Sequence, residues 1–164
     1  MYERILVAVD GGDSADLAMS QAIGMARVCQ AAIKLLYVVD DSELFDAAGT
    51  TDTAKVLSQL VRGGERALDL AAERCSHADV TCIKELVERP LGRGNISETI
   101  VERANSWPAD LIVMGTHGHR GLRRAIMGSV SEGVLAQTNK PVLLIRAPAS
   151  TQPPHLAGKS NDRY

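Results

Sequence analysis

The stretch Asp110–Val130, DLIVMGTHGHRGLRRAIMGSV, decides how the chain is read. Leu111–Met114 is a continuous apolar run between an aspartate and a glycine, the pattern of a short strand buried on both faces. A glycine-rich, basic segment follows, and a short helical pattern begins at Gly128-Ser129. A strand, a glycine loop and a helix start, in that order, read as part of a parallel α/β sheet. Gly115 and Gly118 lack a Cβ and let backbone approach a ligand. The first N–H groups of the helix after Gly128 carry partial positive charge and favour an anion. Arg120, Arg123 and Arg124 add a fork geometry that suits phosphate. Against this stands a structural alternative. Ser129 and Glu132 have the S-x-x-E spacing of a capping box, which alone accounts for the serine.

The same punctuation recurs along the chain. Ile5–Val9 (ILVAV) is an apolar strand that ends on Asp10 and a Gly-Gly pair. A helix follows, capped by Asp13 or Ser14, with Ala15, Ala18, Met19, Ala22, Ala26 and Cys29 at helical spacing. Ala32–Val39 is a second strand and residues 41–52 a polar loop. Thr53–Ser76 is a long helical pattern interrupted by Gly63-Gly64, which marks either a kink or a close contact. Val80–Val87 is a strand whose Lys84 and Glu85 suit an edge. Asn95 and Glu98 have capping-box spacing before a helix that Pro108 ends. Pro141–Ile145 is the last strand. The polar, proline-containing segment 148–164 reads as a flexible tail beyond a domain of residues 1–147.

Composition sets the outer limits. The chain has 164 residues, 45% hydrophobic and 23% charged, which suits one globular domain. A net charge of −2 gives no global field toward nucleic acid, and five aromatics are too few for a base-stacking platform. Cys29, Cys75 and Cys82 form neither a C-x-x-C pair nor a disulfide framework, so free thiols in a reducing compartment are expected. No run approaches the roughly 18 apolar residues of a membrane helix. MYERILVAVD enters a strand directly, without a signal-peptide layout, and a cytoplasmic location is the expectation. His117-x-His119 has no evident third ligand, so no metal site is assigned to it.

In an open parallel sheet the ligand lies beyond the carboxyl ends of the strands, where the winding reverses. With strand 1 central, that crevice collects Asp10, the end of strand 2 near Val38, and the loop from Met114 onward. Asp10 suits hydrogen bonds from a ribose or base, or else it caps the first helix. The Gly128-Ser129 turn suits phosphates.

Gly115-x2-Gly118-x9-Gly128-Ser129 matches in full the G-x2-G-x9-G-[ST] signature of the universal stress protein family. ILVAVDGG, LLYVVD, ADLIVMGTHGHRGL, GSVSEGVL and NKPVLLIR resemble that family in order, over roughly residues 3–147. The resemblance implies a single-domain, open five-stranded parallel sheet in the order 3-2-1-4-5, and a homodimer paired through Val142–Ile145. It implies an ATP site with or without Mg2+. Asp10 and Val38 would contact the adenosine end. Met114, Gly115, His117 and Gly118 would line the ribose and phosphate path, and Gly128, Ser129 and Val130 would hold the phosphates.

These features favour a nucleotide-dependent regulatory protein of the stress response, read by an unidentified protein partner. No Walker A lysine and no evident general base accompany the glycine loop, so hydrolysis is expected to be slow at most and no catalytic residue is assigned. VDGGDS resembles the S-G-G-x-D-S loop of ATP pyrophosphatases, which makes an adenylating enzyme one alternative. Its leading serine is missing and its spacing is one residue short. A protein-binding dimer that no longer uses nucleotide is the other alternative.

Overall fold

The computed structural model describes residues 1–40, 42, 53–90, 95–116 and 127–148. Apart from Ser42, the loop expected at 41–52 lies outside them, as does the tail from residue 149 onward. Strands and helices alternate as β1 (Arg4–Ala8), α1 (Asp13–Cys29), β2 (Ala32–Val38), α2 (Thr53–His77), β3 (Cys82–Val87), α3 (Ile96–Ser106), β4 (Leu111–Gly115), α4 (Ser129–Gln137) and β5 (Val142–Ile145). The strands form one sheet in the order β3-β2-β1-β4-β5, and every neighbouring pair is parallel. This is the order expected from the sequence.

The strand pattern explains the layers. In β1, Ile5 and Val7 point to one face and Leu6 to the other, and all three are fully buried. Ile5 and Val7 join Ala18, Met19 and Ala22 of α1 and Leu68 and Ala71 of α2. Leu6 joins Ile100 and Ala104 of α3 and Val134 of α4. Helices therefore cover both faces, as the uninterrupted apolar runs require. Burying each such side chain stabilises the fold by about 1.5–3 kcal/mol.

Local chemistry sets the helix ends, and three of them differ from expectation. The N-cap of α1 is Gly12, with no side-chain cap bond; Asp13 is the first helical residue and Ser14 is buried. The N-cap of α4 is Gly128, again without a side-chain cap bond, so Ser129 and Glu132 do not form the expected capping box. β3 begins at Cys82, because the Val80 amide donates to the Cys75 carbonyl at 3.0 Å and finishes α2 rather than entering the sheet. The cap at α3 is as read: Asn95 Oδ1 accepts from the Glu98 amide, and the two side chains meet.

The glycine pair in α2 divides into two roles. A Cβ on Gly64 would lie 2.6 Å from Tyr37 Cδ1 and 2.9 Å from Leu86 Cδ1, whereas one on Gly63 would meet nothing within 4 Å. Close approach of helix to sheet at Gly64 therefore accounts for one glycine. The edge charges on β3 also find partners. Lys84 Nζ reaches Asp69 of α2 at 2.6 Å. Glu85 takes Lys34 Nζ at 2.6 Å and Arg103 Nε at 3.2 Å on the opposite face. Lys34, only 9% exposed, also lies 5.5 Å from the ring centre of Trp107. The ion pair and the ring explain how a lysine sits inside β2.

Candidate functional site at the carboxyl ends of β1 and β4

β1 neighbours β2 on one side and β4 on the other, so the connections leave in opposite directions at its carboxyl end. Most of the residues singled out in the sequence meet there. β1 passes into Val9, whose amide donates to the Leu36 carbonyl at 2.8 Å and keeps the chain beside β2 until Asp10. Asp10 Oδ1 then accepts the Gly12 amide at 2.8 Å, and Gly11 takes φ +77°. The aspartate thus closes the turn that leads into α1 without capping the helix itself. A side chain at Gly11 would be strained, which accounts for that glycine.

Val38 ends β2 and packs, with Ala8 and Val130, against the core layer that contains Met114. Val38, Met114 and Val130 therefore belong to the α3/α4 layer, where Met114 is buried and Val38 and Val130 are its half-buried apolar margin. Tyr37 faces the other way, with its ring against Gly64. Burial pushes the Tyr37 phenol above its ordinary value, and the negative charges of Asp10 and Asp40 push it further. The Asp40 carboxylate is engaged in turn by the amide and hydroxyl of Ser42.

Gly115 ends β4 beside Ile145. A Cβ there would lie 2.9 Å from both the backbone carbon and the Cβ of Ser14, and would collide with its hydroxyl. The missing side chain at Gly115 thus makes room for the first turn of α1. The sequence reading had assigned that space to a ligand.

The glycine-rich segment leaves the sheet at Thr116 and returns at Gly128, and its two ends are joined. The Gly128 amide donates to the Thr116 carbonyl at 2.8 Å. The buried Ser131 hydroxyl approaches the Gly128 carbonyl at 2.8 Å and the Thr116 carbonyl at 3.2 Å. The first turn of α4 is thereby fastened to the end of β4, next to β1. Ser129 is exposed at its tip and makes no cap bond there. His117, Gly118 and the three arginines lie outside the described residues.

The sequence reading gave Ser14 only a capping role and missed Tyr37 and Ser131. Nothing in a single sequence signals that Ser14 faces Gly115 or that Tyr37 faces Gly64. Ser131 had a signal: glycine is itself an accepted N-cap, which moves the helix start back by one residue and puts Ser131 at the third helical position, where its hydroxyl meets the cap carbonyl.

Chemically, the rim combines a carboxylate, an apolar margin and a helix N-terminus whose first amides have no intrahelical acceptor. That set can hold a molecule with a hydroxyl-bearing part, a flat apolar part and an anionic part. Among the described residues, no group of three or more His, Cys, Asp or Glu side chains is placed to hold a metal ion. No helix among them is long and apolar enough to cross a membrane.

Comparison with known proteins agrees with this fold. A universal stress protein of Methanocaldococcus jannaschii is 34% identical over 149 residues, which cover 90% of this chain and 84% of the relative. A crystal structure from the universal stress protein family of Burkholderia pseudomallei is 33% identical, with a TM-score of 0.70 over 89% of this chain and 97% of that one. The universal stress protein of Archaeoglobus fulgidus in complex with dAMP shares the fold at 23% identity, with a TM-score of 0.64 over 88% of this chain and 98% of that one. The family model for universal stress proteins matches residues 1–146. The chain belongs to the universal stress protein family.

Proposed function

We propose that the crevice at the carboxyl ends of β1 and β4 binds an adenine nucleotide, ATP in the first instance, and that the protein acts as a nucleotide-dependent regulator in a stress response. The observation that carries the reading is the first turn of α4. It starts at Gly128 without a side-chain cap and is tied to the end of β4. An anion can complete amides that no side chain among the described residues caps.

In this reading Asp10 accepts from the ribose and Val38 lines the adenosine end. Met114, Gly115, His117 and Gly118 follow the ribose and phosphate path, and Gly128, Ser129 and Val130 hold the phosphates. The dAMP complex of the Archaeoglobus fulgidus relative supports an adenine ligand. Mg2+ would arrive bound to the phosphates. What the bound nucleotide supplies is charge at the α4 N-terminus, and with no candidate base for water activation assigned among the described residues the reading is of a switch with slow hydrolysis at most. The half-buried apolar edge of β5 supports pairing with a second copy through Val142–Ile145. The same reading puts the protein in the cytoplasm, where thiols such as Cys75 stay reduced, and leaves a regulatory partner to be found.

Asp10→Ala tests the orientation. It should weaken adenosine and ATP alike, by roughly ten- to a hundredfold, the range for a hydrogen bond to a charged group. If ATP binding alone suffered, Asp10 would belong to the phosphate end and the orientation would be wrong.

A further inference from the structure

We infer that Ser131 is a positioning residue of the nucleotide site, one that aims the Ser129 amide at the phosphates by holding the Gly128 carbonyl to the end of β4. The inference rests on the nucleotide reading above.

Ser131 lies outside the glycine signature. It is 2% exposed, yet it carries a hydroxyl into the junction of β4 and α4. That hydroxyl has two carbonyls within reach, Gly128 at 2.8 Å and Thr116 at 3.2 Å, and its single proton is shared between them. The Gly128 contact is the local bond, three residues back, that a helical serine commonly makes. The Thr116 contact is different, because it joins the helix to the strand. The Gly128 amide closes the ring on the same Thr116 carbonyl at 2.8 Å.

The consequence follows from peptide geometry. A peptide unit is planar and trans, so an amide N–H points opposite to the carbonyl of the residue before it. The Gly128 carbonyl is held inward by the Ser131 hydroxyl and by the Glu132 amide at 3.0 Å. The Ser129 N–H is thereby turned outward, away from the helix and toward the carboxyl end of the sheet. Without the hydroxyl, one donor to Gly128 and the link from helix side chain to strand are lost. The Thr116 and Gly128 carbonyls each keep a backbone donor, so no carbonyl is left unpaired and the fold survives.

The test compares Ser131→Ala and Ser131→Thr with the wild-type chain, using ATP and adenosine as probes. Alanine removes the hydroxyl while favouring the helix, and threonine restores it. Ser131→Ala should weaken ATP by about fivefold to tenfold, leave adenosine within about twofold, and be rescued by threonine. In the ligand-free protein, hydrogen exchange at the Gly128 amide should speed up in the alanine variant alone. An unchanged ATP affinity would overturn the inference. So would a parallel loss for adenosine, which would indicate general loosening of the site. Failure of the wild-type chain to bind either probe would overturn the nucleotide reading and the inference with it.

Discussion

At the scale of single residues, the glycines at the carboxyl ends of β1 and β4 separate into distinct physical roles. Gly115 lacks a side chain because Ser14 of α1 occupies the space beside it. Gly115→Ala should destabilise the protein by about 1–3 kcal/mol, the range for overpacking a filled site. Denaturant unfolding would check this, and an unchanged midpoint would mean that α1 yields freely at that point. The loss should appear in the ligand-free protein, which separates packing from ligand binding. Gly11 is different, since nothing lies within 4 Å of a Cβ there and only its φ of +77° restricts the position. The sequence displayed the glycines and their spacing plainly. It did not display which neighbour each one faces, because that depends on which elements the fold brings together.

At the scale of elements, α2 offers a controlled comparison. Gly64→Ala should lower stability by about 1–3 kcal/mol, because its Cβ would press on the ring of Tyr37. Gly63→Ala, one residue away and open to space, should raise stability by about 0.4–1 kcal/mol through helix propensity and reduced chain entropy. Opposite signs at adjacent glycines, read by thermal or urea unfolding, would confirm that α2 is set by contact with the sheet. Asn95→Ala should cost about 0.5–2 kcal/mol, since Asn95 caps α3. The elements themselves were readable from apolar runs and helical spacing, because buried parallel strands and amphipathic helices have few alternatives. Two helix starts were not. A serine or aspartate one or two residues after a glycine looks like a cap, and at both α1 and α4 the glycine takes that place.

At the scale of the whole molecule, burial in the α1/α2 layer predicts how stability falls in alkali. Burial, with Cys82 alongside, pushes the Cys75 thiol from its ordinary value of 9.0 to about 12. The native state then holds this proton more tightly than the unfolded chain does. The associated stability is intact below about pH 9 and declines as pH rises toward 12. Tyr37, raised by burial and by Asp10 and Asp40, adds a decline that begins near its ordinary value of 10.0. Cys75→Ala should flatten the fall in unfolding free energy between pH 8 and pH 10.5, compared with the wild-type chain at the same two pH values. An equal fall in both would assign the alkaline loss to other groups.

The parallel sheet was legible from the alternation of strands and helices, and its order 3-2-1-4-5 from the resemblance carried by the glycine signature and its flanking strands. The fastening of the Gly128 turn to Thr116 was not legible, since it is made by a backbone amide and a buried hydroxyl that only the fold brings to the same carbonyl. The measurement that tests the central claim most directly is a calorimetric titration of the purified, nucleotide-stripped chain with Mg-ATP. The account predicts saturable binding in the micromolar range, one nucleotide per chain. An absence of heat, together with no adenine nucleotide released when the protein as isolated is denatured, would contradict it.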